Sequence, residues 1–160
     1  MKKFLSNIIA ICAGVFDFLG LITPAIGLYV NAGILGGENT TWVSGYDFIS
    51  FENGAPTSEI MFSVFAIIMM VVAALLVIVS VVRLFADNKK YKLDMIQNIL
   101  SCILAVFAIA TLICAIAFVS DYNSATIHIG EEKIGIGSIL NCIVLVVCAV
   151  FVFLFNRKKK

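Results

Sequence analysis

Apolar residues fill four long runs, roughly 4–30, 60–85, 95–119 and 136–155, and polar or turn-forming residues collect between them. A helix rises about 1.5 Å per residue, so about 20 residues cross the roughly 30 Å hydrocarbon core of a bilayer. Each run meets or exceeds that length. The pattern predicts a single integral membrane domain over residues 1–160. Its fold class is all-α, a four-transmembrane-helix bundle joined by loops at 31–59, 86–94 and 120–135.

The two longer loops carry a different periodicity. Thr40 to Phe51 is rich in β-branched and aromatic residues and is closed by Asn53-Gly54 and Pro56. That is strand composition bounded by turn residues. Alternation puts Trp42, Ser44, Tyr46, Phe48 and Ser50 on one face, with Val43, Gly45, Asp47, Ile49 and Phe51 on the other. In the second long loop, Ile127 and Ile129 precede Gly130, and Ile134 and Ile136 follow it, which predicts a β-hairpin. A lone hairpin is marginal in water. Pairing with the first loop buries the apolar faces of both, so the two loops are expected to form a small extracellular β-sheet over the bundle.

Composition agrees with the membrane reading, at 62% hydrophobic and 13% charged. The near-neutral net charge of +1 hides a sorted distribution. Lys2, Lys3, Arg83, Lys89, Lys90, Lys92 and the tail Arg157 to Lys160 flank the spans on one side, where Asp87 and Asp94 are the only acids. Glu38, Asp47, Glu52, Glu59, Asp121, Glu131 and Glu132 lie on the other, opposed only by Lys133. Basic residues mark the cytoplasmic side, so both termini and the short middle loop are expected to face the cytoplasm in a multi-pass cytoplasmic-membrane protein. The basic rim suits anionic lipid headgroups and gives no reason to expect nucleic acid. The first run is longer than the apolar region of a signal peptide, about 7–15 residues, so it is read as a retained span.

Asp17 is the residue in the spans that asks for an explanation. A central Asp disfavours insertion by about 2.5–3.5 kcal/mol, which the surrounding Leu, Ile, Phe and Val outweigh. Ala10, Ala13, Asp17, Gly20, Pro24 and Gly27 recur at alternating steps of three and four, with Gly14 adjoining. Small residues let helices approach closely in lipid, so this seam and its acid should face the bundle. Pro24 is expected to kink the helix. Counting turns places Cys148 at Asp17's depth and Thr111 slightly outward. Asn141 falls about 10 Å further out and Arg83 about 15 Å deeper. With no cation at its level, Asp17 reads as a neutral hydrogen-bonding acid within a polar group of Asp17, Thr111, Asn141 and Cys148.

No other chemistry stands out. All five cysteines (Cys12, Cys102, Cys114, Cys142, Cys148) lie in the spans, without a Cys-x-x-Cys motif or a metal-ligand cluster. His128 is the single histidine and is expected to be an ordinary strand residue. No catalytic residue, metal site or cofactor is expected.

The layout resembles claudin-like four-span proteins: termini inside, a first outer loop with strands and a tryptophan, and a shorter second outer loop. Only Trp42 could correspond to their Trp-Gly-Leu-Trp element, and the loop cysteine pair is absent. The element Ser44-Gly45-Tyr46-Asp47-Phe48 is similar to a Ser-Gly-aromatic-Asp signature of small uncharacterised bacterial four-span proteins, which implies a bacterial membrane and no activity. The expected function is therefore a non-enzymatic structural, accessory or interaction role. Trp42, Tyr46, Asp47 and Phe48 form the candidate extracellular surface. Expected partners are membrane lipids and another membrane protein or a second copy of the chain. The alternative is a small proton- or cation-coupled transporter or channel centred on Asp17.

Overall fold

The computed structural model describes residues 2–31, 38–47, 49, 56–85, 92–124 and 131–157. The chain runs α1 (Lys2–Ile22), β1 (Pro24–Asn31), β2 (Glu38–Ser44), α2 (Thr57–Phe85), α3 (Leu93–Ser124), β3 (Glu131–Ile134) and α4 (Ile136–Asn156). All four helices are long and apolar enough to cross a membrane. They pack as a ring, α1 on α2, α2 on α3, α3 on α4 and α4 on α1. One end of the ring carries the start of α1, the end of α2, the start of α3 and the end of α4, and the other carries a three-stranded sheet.

Large side chains such as Val71, Leu75 and Ile78 of α2 and Val106, Ile109 and Ile113 of α3 point outward. Small ones line the interior. Ala10 and Ala13 of α1, Ala73 of α2 and Ala108 of α3 sit with Met69, Leu76, Leu104, Leu145 and Val152 in the central cluster. Lipid tails are as apolar as Leu, so close backbone approach, rather than burial of large side chains, holds such a bundle. Gly14 lets α1 approach α2 closely. A Cβ there would lie 2.5 Å from Val77 Cγ2 and 2.9 Å from the Ala73 carbonyl oxygen.

The first apolar run does not stay helical to Val30. Its helix stops at Ile22, and Pro24–Asn31 is a strand. Pro24 has no N–H and pushes Thr23 out of the helical region, so the helix ends just before it. Gly20 receives the freed bonds, from the Thr23 amide at 3.3 Å and the Thr23 hydroxyl at 2.5 Å. Pro24 is thus a helix terminator and the first residue of a strand, where its missing N–H is tolerated. Pro24 and Gly27 leave the proposed seam. The buried stripe on α1 instead runs down the helix through Asp17, Gly14, Ala13 and Ala10 to Asn7 and Ser6.

β1 is the central strand, antiparallel to β2 on one side and β3 on the other. Ile26 stands opposite both Val43 and Ile134, and the register slips between Pro24 and Ile26. The Ala25 carbonyl at that slip accepts from the Gly135 amide at 2.7 Å and the Ser138 hydroxyl at 3.3 Å, which ties the sheet to the start of α4. Beneath the sheet, Leu21, Ala25 and Ile26 join Phe62, Ala66, Cys114 and Ala115 in a second apolar cluster, with Val43 and Ile49 against it. Trp42 and Val43 alternate as expected, with the indole exposed and the valine half-buried. The strand ends at Ser44, however, and Gly45–Asp47 form a turn. Phe48, His128 and the rest of the first arm of the proposed hairpin, with Gly130, lie outside the described residues, and the second arm, Glu131–Ile134, pairs with β1. α3 also continues to Ser124, five residues past the expected end of the third run.

Gly14→Leu should force α1 from α2 and lower bundle stability by about 2–3 kcal/mol, as overpacked sites do. Val15→Leu, on the exposed side, should stay within about 0.5 kcal/mol of the parent. Denaturant unfolding in mild detergent checks both, and equal midpoints for Gly14→Leu and the parent would refute the packing.

Candidate functional site

Two polar clusters lie inside the bundle, one toward each end. At the end that holds the chain termini, Gln97 of α3 touches all three other helices. Its side-chain nitrogen donates to Ser80 Oγ at 2.9 Å and Asn7 Oδ1 at 3.2 Å. Its oxygen accepts from Ser6 Oγ at 3.0 Å, Asn156 Nδ2 at 2.9 Å and Arg83 Nη1. Arg83 Nη1 also reaches Asn7 Oδ1 at 3.1 Å and Ser6 Oγ at 3.3 Å, while Nη2 pairs with Asp94 Oδ1 at 2.5 Å. Ser80 Oγ donates onward to the Leu76 carbonyl at 2.6 Å, and Asn156 Nδ2 donates to Asn98 Oδ1 at 2.7 Å. Arg83, Gln97, Ser6, Asn7 and Ser80 are all buried.

The helix ends suit these charges. Arg83 occupies the last turn of α2 and Asp94 the first turn of α3, the ends where the helix dipole favours a cation and an anion. Arg83 is expected from sequence only as a charge flanking the spans, and Gln97 and Asn98 lie near the same boundary. The structure folds them into an inter-helix network instead. Ser6, Asn7, Ser80 and Asn156 belong to it and were not singled out.

Toward the sheet end, Asp17 is 0% exposed and accepts a hydrogen bond from Asn141 Nδ2 at 3.3 Å. Asn141 therefore lies beside the acid, not about 10 Å beyond it. The reason is the early end of α1. Asp17 sits five residues before Ile22, and Asn141 sits five residues after Ile136, so the two occupy matching depths on neighbouring helices. Asn141 is wedged against α1 as well. A Cβ on Gly20 would fall 2.6 Å from its Oδ1 and 2.7 Å from its Cγ. Asp17 Oδ2 and Asn141 Oδ1 are buried and make no hydrogen bond among the described residues.

The other proposed partners point elsewhere. Thr111 Oγ1 bonds the Ala108 carbonyl at 3.0 Å and Met69 Sδ at 3.7 Å. Cys148 packs half-buried against the central apolar cluster. Among the described residues, no three of His, Cys, Asp and Glu converge as metal ligands do.

Part of the Ser44–Phe48 element has a local structural role. Ser44 Oγ donates to Asp47 Oδ2 at 2.7 Å and accepts from the Asp47 amide at 3.2 Å, closing a tight turn. That turn sets Tyr46 over the end of α1. Its amide donates to the Leu21 carbonyl at 3.0 Å and its phenol to the Phe18 carbonyl at 3.3 Å. Helix ends leave carbonyls without intrahelical partners, and here a side chain and a loop amide meet two of them. Gly45 allows the approach, since a Cβ there would lie 3.0 Å from the Leu21 oxygen. Tyr46 and Asp47 are exposed, but their polar groups already serve the fold. Of the proposed surface, Trp42 remains exposed without such a role.

Compared with protein-family models and with curated proteins, the chain matches none.

Replacing Gln97 by Leu strips Arg83 of a buried acceptor and separates contributions from all four helices. The expected loss is about 2–4 kcal/mol of bundle stability. Asn98→Leu removes only a peripheral bond and should cost under about 1 kcal/mol. Chemical denaturation in detergent distinguishes the two, and equal effects would contradict the central place given to Gln97.

Proposed function

We propose that this chain is a multi-pass protein of the cytoplasmic membrane, with both termini in the cytoplasm, serving a non-enzymatic structural or accessory role. The observation that carries this reading is how the buried polar side chains are used. Arg83, Gln97, Asn7, Ser6 and Ser80 bond across helices, and Asp17 is enclosed against Asn141. Groups spent on holding helices together are not free to pass a proton or ion along a path. Basic residues at the terminal end and the acids Glu59 and Asp121 at the sheet end support the orientation. Four helices below a small sheet agree with the claudin-like layout. The bacterial assignment rests on the resemblance of the Ser44–Phe48 element. On this reading the partners are lipids and a neighbouring membrane protein or second copy, met through the face around Trp42.

A second reading draws on one specific feature. Asp17 Oδ2 and Asn141 Oδ1 are two buried oxygens without a hydrogen bond, and oxygen pairs of this kind suit a proton or a small cation. A flux assay separates the readings. In proteoliposomes under an imposed proton or sodium gradient, wild type and Asp17→Asn should both run at the protein-free leak rate. Asp17→Asn should also keep stability within about 1 kcal/mol, because an amide can still pair with Asn141. A wild-type flux well above leak that Asp17→Asn abolishes would overturn the structural reading.

A further inference from the structure

Asp17 and Asn141 are joined by one hydrogen bond, from the amide nitrogen to Asp17 Oδ1 at 3.3 Å. The second oxygen of each group, Asp17 Oδ2 and Asn141 Oδ1, is buried and has no hydrogen-bond partner among the described residues. A carboxylate oxygen and an amide oxygen both only accept, so neither can serve the other while Asp17 is ionised. Two unmet acceptors in a buried site are costly, and an unpaired charge there is costlier still.

We propose that a single proton completes the pair and makes it a pH-sensitive clasp between α1 and α4. Asp17 is then a carboxylic acid whose Oδ2–H donates to Asn141 Oδ1, while Asn141 Nδ2–H donates to Asp17 Oδ1. The paired bonds close a ring, and the ring opens when the proton leaves for water. The proposal deepens the structural reading of Asp17 given above and rests on it.

The surroundings favour the neutral acid. Gly14 of α1 packs on Ala73 of α2. One turn further toward the sheet, Asp17 comes level with Met69 of α2, which Thr111 of α3 touches. Neither of these titrates, and nor does Asn141. The charged residues of the neighbouring helices stand at their ends. Glu59 is in the first turn of α2 and Arg83 in its last, Asp94 and Asp121 are in the first and last turns of α3, and α4 has none. Arg83 is held by Asp94 in the other polar layer. Glu38 belongs to β2, and Glu131, Glu132 and Lys133 to β3. The remaining titratable groups of the spans near this depth are thiols, Cys12 of α1, Cys114 of α3 and Cys142 and Cys148 of α4, which are uncharged as such. With Gly20 pressed against its amide, Asn141 has little freedom to seek another donor.

Infrared difference spectroscopy of the full chain in liposomes tests the ring. Subtracting Asp17→Asn from wild type should leave the carbonyl stretch of a protonated carboxylic acid in mildly acid buffer. That band should move to lower frequency in D2O, and to higher frequency when Asn141→Leu removes the acceptor. Raising the pH should replace it with carboxylate bands. Stability should follow the same proton. A proton held more firmly by the folded than by the unfolded chain stabilises the fold on the acid side, and that contribution is lost as pH rises. Asp17→Asn closes the same ring with an amide and needs no proton. The wild-type melting midpoint in detergent should therefore match that of Asp17→Asn on the acid side and fall below it as pH is raised.

Carboxylate bands without an acid carbonyl in mildly acid buffer would overturn the proposal and put a donor such as water between the two oxygens. An acid band that Asn141→Leu leaves unmoved would overturn it too, as would a difference between the two midpoints that does not change with pH. A gradient-driven flux abolished by Asp17→Asn would overturn the structural reading itself, whereas a missing acid band overturns the ring alone.

Discussion

The end of α1 at Thr23-Pro24 is the constraint on which the sheet end of the molecule depends. Proline removes the amide that would continue the helix, and its ring drives Thr23 into an extended conformation. With α1 stopped at Ile22, the following residues are free to become β1, the strand that β2 and β3 both join. The carbonyls exposed at the break need partners. Thr23 supplies two bonds to Gly20, and Tyr46 meets Leu21 and Phe18. The break also sets depth. Asp17 becomes a residue near the end of its helix, level with Asn141, whereas an unbroken span would have left it far from any polar group on α4.

The other end is organised by a different physical problem. Four helices whose outer surfaces are uniformly apolar can rotate and slide with little change in hydrophobic energy. Polar side chains with defined geometry resist that sliding, because a shift of one turn leaves buried donors and acceptors unmet. Gln97 reaches residues on all three neighbouring helices, so it registers α1, α2 and α4 against α3 at once. The ion pair between Arg83 and Asp94 adds a second restraint between the end of α2 and the start of α3. Neither charge is there because it increases net stability, since a buried pair contributes little against well-packed apolar side chains. Its effect is to select one arrangement of the helices among several of similar packing energy. That is a role for the network in specifying the fold.

Most of the helical frame was legible in the pattern of apolar runs. α2 and α4 begin and end within a few residues of the expected spans, because charged or turn-forming residues bracket them. The end of α1 was not read correctly, since Ile26, Leu28, Tyr29 and Val30 suit an apolar helix and a buried strand equally well. Thr23-Pro24 is the available signal, and a proline there is compatible with a kink as well as with a helix end. The error carried forward: a span drawn to Val30 put Asp17 at mid-depth and Asn141 out of reach. The Gln97 network was hidden for another reason. Its members lie in four separated stretches, and residues near a boundary look harmless one at a time. Their spacing held a clue. Ser80 and Arg83 are three apart, as are Asp94 and Gln97, so each pair occupies one helix face at the same end of the bundle. Reading the boundary residues of all spans together, rather than span by span, would have brought them into one cluster.

The two ends divide the work of a small bundle. Between them, the centre packs closely and is joined across helices, among the described residues, by little beyond the weak Thr111–Met69 contact, so it sets how near the helices come more than their order along the axis. The polar layers fix that order, one near each end, and the distance between the layers defines the length over which the small residues must match. This explains why the seam on α1 runs toward Ser6 and Asn7 instead of toward Gly27. Small residues are useful only between two points that hold the helices in register, and beyond Gly20 the chain has already become sheet. On the proposed structural reading, Asp17 serves as a fixed point between helices. It is the α1 half of the upper fixed point, as Gln97 is the centre of the lower one, and Gly20 is small because Asn141 must reach past it to make that bond.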